Sequence, residues 1–171
     1  MSARDITVIK NPGDVLTFQV DDRTTTGYAN VFEPGEPLCV KAASSVYAQT
    51  VPNGGPIRGS DDFLGICAKQ STETATANGT VDYISMLPGT MLRGKATTST
   101  NVNTAAKILA YQQGFVGFDN TSEVFTIDED ESDDPNKLAL QIITGDYMAY
   151  TLDVMVNINN CYGGWYGQTI D

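Results

Sequence analysis

The chain has 171 residues, 41% of them hydrophobic, and carries 10 Lys and Arg against 21 Asp and Glu, a formal charge of −11. That length buries one sizeable core, and the acid surplus repels phosphate backbones and anionic membranes at long range, which excludes nucleic acid as an expected partner. Histidine is absent, which removes imidazole-activated nucleophiles, His-based zinc sites and proton shuttling near neutral pH.

No continuous apolar run approaches the roughly 20 residues of a bilayer span. The opening Met1-Ser2-Ala3-Arg4-Asp5 lacks the apolar stretch of a signal peptide, so synthesis and folding in a cytoplasm are expected. Three cysteines without Cys-x-x-Cys spacing fit reduced thiols. Cys39 and Cys67 sit inside apolar runs and read as small buried hydrophobes; Cys161 is unassigned. The net charge serves either solubility alone or the selection of a partner as well.

Taken in chain order, the dominant pattern is alternation with a period of two, as a half-buried strand requires. Leu16, Phe18 and Val20 alternate with Thr17 and Gln19, and Leu152, Val154, Val156 and Ile158 alternate with Asp153, Met155, Asn157 and Asn159. Further strands are expected at residues 6–9, 38–42, 63–68, 81–86, 91–96, 115–118, 124–127 and 138–144. Asn11-Pro12-Gly13, Glu33-Pro34-Gly35, Asn53-Gly54-Gly55-Pro56, Asn78-Gly79, Pro88-Gly89 and Asp134-Pro135-Asn136 punctuate them with turn chemistry. Thr104 to Tyr111 forms either two helical turns or another strand. The expectation is an all-β fold, a small barrel or sandwich of short antiparallel strands with terminal arms. Residues 1–159 make one β domain, and residues 160–171 a Gly-rich, aromatic C-terminal arm.

Catalytic and metal-binding patterns fail where tested. The acidic run Asp128-Glu129-Asp130-Glu131-Ser132-Asp133-Asp134 puts Asp133 where a calcium loop needs glycine and Ala139 where it needs a bidentate glutamate, so it reads as a solvated hairpin tip. The cluster Gly54, Gly55, Pro56 and Gly59 precedes no helix and reads as a loop, not a phosphate cradle. Asp61-Asp62 would point apart on a strand and read as loop charges. No nucleophile elbow or Ser-x-x-Lys pair occurs. The chain is expected to have no catalytic site, no metal and no cofactor.

The tail from Cys161 to Asp171 holds the single tryptophan and two of the eight tyrosines among glycines. Aromatic rings bury large area with few rotors to freeze, so Tyr162, Trp165 and Tyr166 are candidate anchors, docking on the chain's own domain or on a partner. The residues before Asn11 are a second candidate arm.

The order of segments resembles the head decoration, or cement, proteins of tailed bacteriophages. The resemblance rests on Gly35-Glu36-Pro37, Phe63-Leu64-Gly65-Ile66-Cys67-Ala68, Gly79-Thr80-Val81 and Pro88-Gly89-Thr90-Met91, within residues 33–96. Phe125-Thr126-Ile127, the acidic tip, Leu138-Ala139-Leu140-Gln141-Ile142 and Leu152-Asp153-Val154-Met155-Val156 are similar to the second half of such proteins; the tail beyond Asn159 has no counterpart. The resemblance implies a structural protein on the capsid exterior that binds the major capsid protein, bridges neighbouring capsid subunits and assembles as a homo-oligomer, a trimer being favoured. It implies no enzyme, nucleic-acid or membrane role. Two readings stand beside it: a virion-surface carbohydrate-binding module or head fibre component, and a small trimeric phage enzyme.

Overall fold

The computed structural model describes residues 6–10, 12–23, 31–41, 46–56, 61–121, 124–130 and 140–156. Within them the strands run β1 (Thr7–Lys10), β2 (Val15–Val20), β3 (Pro37–Lys41), β4 (Gln49–Thr50), β5 (Asp61–Lys69), β6 (Gly79–Ser85), β7 (Met91–Lys95), β8 (Phe115–Thr121), β9 (Val124–Asp128), β10 (Leu140–Asp146) and β11 (Thr151–Val156). One sheet has the order β1-β7-β11-β10-β8-β9 and the other β2-β6-β5-β3-β4. Every strand pair is antiparallel. The fold is all-β.

Both sheets curl until their ends approach. In the six-stranded sheet Ala96, just past β7, bridges Ile127 of β9, and the Thr97 N–H donates to the Ile127 carbonyl at 3.0 Å. In the five-stranded sheet the Ala48 N–H, just before β4, donates to the Gln19 carbonyl of β2 at 2.8 Å. Curling satisfies edge groups that would otherwise template foreign strands.

Each curl encloses apolar side chains, and β3 and β5 stand between the two cores. Cys39, Phe63 and Ile66 turn toward the six-stranded sheet and pack with Leu92, Phe118, Ile127 and Val154. Leu38, Val40, Leu64 and Cys67 turn the other way and pack with Val20, Val81 and Tyr83. A strand covered on both faces cannot alternate apolar with polar, which explains the unbroken Phe63-Leu64-Gly65-Ile66-Cys67 run. Phe63 meets Phe118 across the first core with ring centroids 5.8 Å apart.

A loop from the five-stranded sheet lies against the six-stranded one. Gly54 N–H donates to the Phe118 carbonyl at 2.9 Å, and Phe118 N–H to the Gly55 carbonyl at 2.7 Å. A Cβ on Gly117 would fall 2.6 Å from the carbonyl carbon and oxygen of Gly54. Backbone approaches backbone here, so only glycine fits. The Gly54-Gly55 cluster thus joins the sheets.

The segment 104–111, open in sequence, is a helix, α1 (Ala105–Tyr111). The Thr104 hydroxyl caps it by accepting from the Lys107 N–H at 3.3 Å, and Ala-rich composition favours the state. Asp61 and Asp62, expected as loop charges, begin β5 in register with Lys41 and Val40. Residues 7–10 of the candidate N-terminal arm pair with β7, and Ile6 is buried. Among the described residues no helix is long and apolar enough to cross a membrane.

Phe63 contributes to the first core from the strand that separates it from the second. Phe63→Ala is expected to cost about 3–5 kcal/mol through lost burial and an unfilled cavity, measured by urea unfolding followed by far-UV circular dichroism.

Candidate docking surface

The sequence candidates Tyr162, Trp165 and Tyr166 lie outside the described residues, as does Cys161. Among the described residues, three exposed apolar side chains cluster on the turn between β10 and β11, whose backbone is capped. Tyr147 and Tyr150 are about half exposed and Met148 is 78% exposed. The Asp146 carboxylate accepts from the backbone N–H groups of Met148 at 2.8 Å and Ala149 at 3.3 Å, closing the turn on a side-chain cap. Tyr150 has a φ of 55°, the left-handed region, and its carbonyl accepts from the Ala96 N–H at 3.0 Å. A bulky residue there costs roughly 1–2 kcal/mol relative to the right-handed region, a cost a glycine would avoid. Its presence places an aromatic ring beside Tyr147 and Met148 on a fixed backbone.

The turn rests on a braced floor. Glu129, 3% exposed, accepts from the N–H groups of Thr97 and Thr98, both at 3.0 Å, and from the side-chain amide of Asn101 at 3.1 Å. The expectation that the acidic run is a solvated tip is therefore corrected at this residue: Glu129 turns inward because three donors of the 97–101 loop converge on it. Asp130 accepts from Asn101 at 2.6 Å and from the Tyr111 hydroxyl at 3.0 Å. Desolvation and that hydrogen bond raise the Tyr111 pKa, so the phenol stays a donor. Glu131 to Asn136 lie outside the described residues.

Among the described residues, the Arg93–Asp153 pair and the thiols Cys39 and Cys67 are committed to structure. Arg93 donates from Nε and a terminal nitrogen to the two oxygens of Asp153, at 2.6 and 2.8 Å. This forked pair lets the carboxylate sit buried on β11 and raises the Arg93 pKa above its ordinary value. Burial, with Glu36, Glu33 and Glu73 nearby, pushes the Cys67 thiol up to about 12, which makes it a poor nucleophile. Cys39 and Cys67 face different cores, so they are not placed to form a disulfide with each other. Among the described residues no group of three or more Cys, Asp or Glu side chains is arranged to hold a metal ion.

Turn chemistry based on Gly, Pro, Asn and Asp does not point to this connector. The available signal was the reverse one, a four-residue connector, Tyr147-Met148-Ala149-Tyr150, that is apolar where a solvated turn would be polar.

Glu129→Gln swaps an acceptor oxygen for an amide that faces backbone donors. It is expected to lower stability by about 1–3 kcal/mol, read from the urea midpoint at unchanged slope. Compared with known proteins, the sequence matches no family model and no curated relative.

Proposed function

We propose that this protein is a structural component of a bacteriophage virion, a decoration protein that binds the capsid exterior and cements neighbouring capsid subunits. The observation that carries the reading is the β10–β11 turn, where Tyr147, Met148 and Tyr150 project from a capped backbone. Aromatic and Met side chains supply interface energy with little ordering cost when the backbone beneath them is already fixed.

Two further features support it. The described cysteines are buried thiols, which suits folding in a reducing host cytoplasm. The charge of −11 keeps copies soluble and disfavours nucleic acid, while leaving a basic protein surface attractive. The partner is then the major capsid protein, and the protein acts as a homo-oligomer, a trimer by resemblance. Each copy contributes a contact on the order of 800 Å² per partner. Repetition over a symmetric lattice turns modest contacts into stabilisation of the shell.

The test is light scattering on the purified protein, followed by co-sedimentation with tailed-phage capsids stripped of surface proteins. A stable trimer that saturates capsids at fixed stoichiometry is expected, with Met148→Glu weakening attachment by roughly tenfold or more, as for a central contact residue. A monomer without capsid affinity would contradict the reading. Saturable heat on titration with host polysaccharides would favour a carbohydrate-binding module, in which Tyr147 and Tyr150 stack on sugar rings.

A further inference from the structure

The end of β11 away from that turn carries a second exposed apolar surface, and it needs no capsid to explain it. Val15 is 63% exposed, Leu87 51% and Leu16 46%. Leu16 belongs to the series Leu16, Phe18, Val20 that enters the second core, and burial falls off along it until the mouth of that core stands open at Leu16. β2 is an edge strand. Among the described residues, the contact across this edge is the Ala48 N–H to Gln19, in its far half. The near half thus presents apolar side chains on both faces and, among the described residues, no strand pairs with its outer backbone edge, the kind of edge native proteins ordinarily cover, charge or shorten.

The last described residue of β11 sits at this corner. The Val156 carbonyl accepts from the Gly89 N–H at 3.2 Å, and its N–H donates to the Thr90 carbonyl at 2.8 Å. The Leu87 N–H donates to the Thr90 hydroxyl at 3.0 Å. Ser85 donates to the Asp14 carbonyl at 3.0 Å, beside Val15. From Val156 to Val15 the links are hydrogen bonds and a few residues of one turn.

We propose that the occupant of this corner is the chain's own C-terminal segment, residues 157–171. Three properties select it. Fifteen residues span roughly 50 Å when extended, ample for a corner this close. The segment is uncharged from Asn157 to Ile170, whereas β2 is flanked by Asp14 at this corner and by Asp21 and Asp22 at its far end, with Asp82 opposite Thr17, and these repel an acidic strand along it. The same acids disfavour a second copy's β2, because centred antiparallel self-pairing sets Asp14 against Asp21. Finally, a tethered segment acts at an effective concentration on the order of millimolar, so the chain's own copy outcompetes another's. Trp165 and its tyrosine neighbours then cover Leu16, Val15 and Leu87, and attachment to other proteins falls to the β10–β11 turn.

Trp165 is the only tryptophan, so its fluorescence reports the contact directly. In the full chain its emission is expected to be blue-shifted from that of a synthetic peptide of residues 157–171, independently of protein concentration. Leu16→Asp should return it toward the peptide value, while Leu109→Asp, an exposed leucine on α1, should leave it unchanged, with circular dichroism verifying the fold of each. If Leu16→Asp proves unfolded, Val15→Asp takes its place. Emission equal to the free peptide's, a shift insensitive to both corner substitutions, or a shift that appears only as concentration rises would overturn the proposal, the last by assigning the corner to a second copy.

Discussion

The rest of the structure depends on two strands that are covered on both faces. β3 and β5 send Cys39, Phe63 and Ile66 into one core and Leu38, Val40, Leu64 and Cys67 into the other. A wall of this kind has no solvent face on which to place polar residues, so its sequence is constrained at consecutive positions instead of alternate ones. It also links the cores mechanically. A side chain lost from either face of β5 disturbs the backbone that supports the other, and the loop at Gly54 and Gly55 ties the same sheet to β8.

With the wall fixed, the two ends of β11 take on different chemistry. At Thr151 the strand leaves a turn whose backbone is capped by Asp146, whose tyrosines and methionine are exposed, and which meets the loop braced by Glu129 through the Ala96 N–H to Tyr150 carbonyl bond. At Val156 it reaches a corner beside the edge strand β2, where Val15, Leu16 and Leu87 are exposed. The first surface is rigid and apolar on a chain of strongly negative charge, the character expected of an anchor that meets a basic protein surface. The second is an edge that the chain itself has the means to cover. The proposed docking falls on a turn whose backbone is already capped, where less conformational entropy remains to be lost on contact.

Much of the fold was legible in the sequence. Alternation marks β2 and β11, the Pro34-Gly35 and Pro88-Gly89 turns fall where expected, and the apolar run at Phe63 to Ala68 announces β5. What alternation does not reveal is which side of that run faces which core, because strict burial on both faces erases the period. β4, two residues long, has no period to detect. Asp61 and Asp62 suggest a loop by their charge, whereas register with β3 extends the strand through them. Glu129 was misread for a related reason: a run of acids looks solvated until the donors of Thr97, Thr98 and Asn101, about thirty residues away in sequence, are brought beneath it. The apolar turn at Tyr147 to Tyr150 lacks the usual turn formers, so its sequence does not mark it as a connector.

The shared wall has a direct test, because each core contains one thiol. In a Cys161→Ser chain, Cys39 reports the first core and Cys67 the second. Pulse labelling with a thiol reagent along a urea gradient, with the two sites resolved by mass spectrometry, gives an unfolding curve for each. If β3 and β5 bind the cores into one cooperative unit, both thiols are protected in the native chain and become reactive with the same midpoint and slope. Two separate transitions, with one thiol labelled while the other remains protected, would show that the cores open independently and would contradict the account.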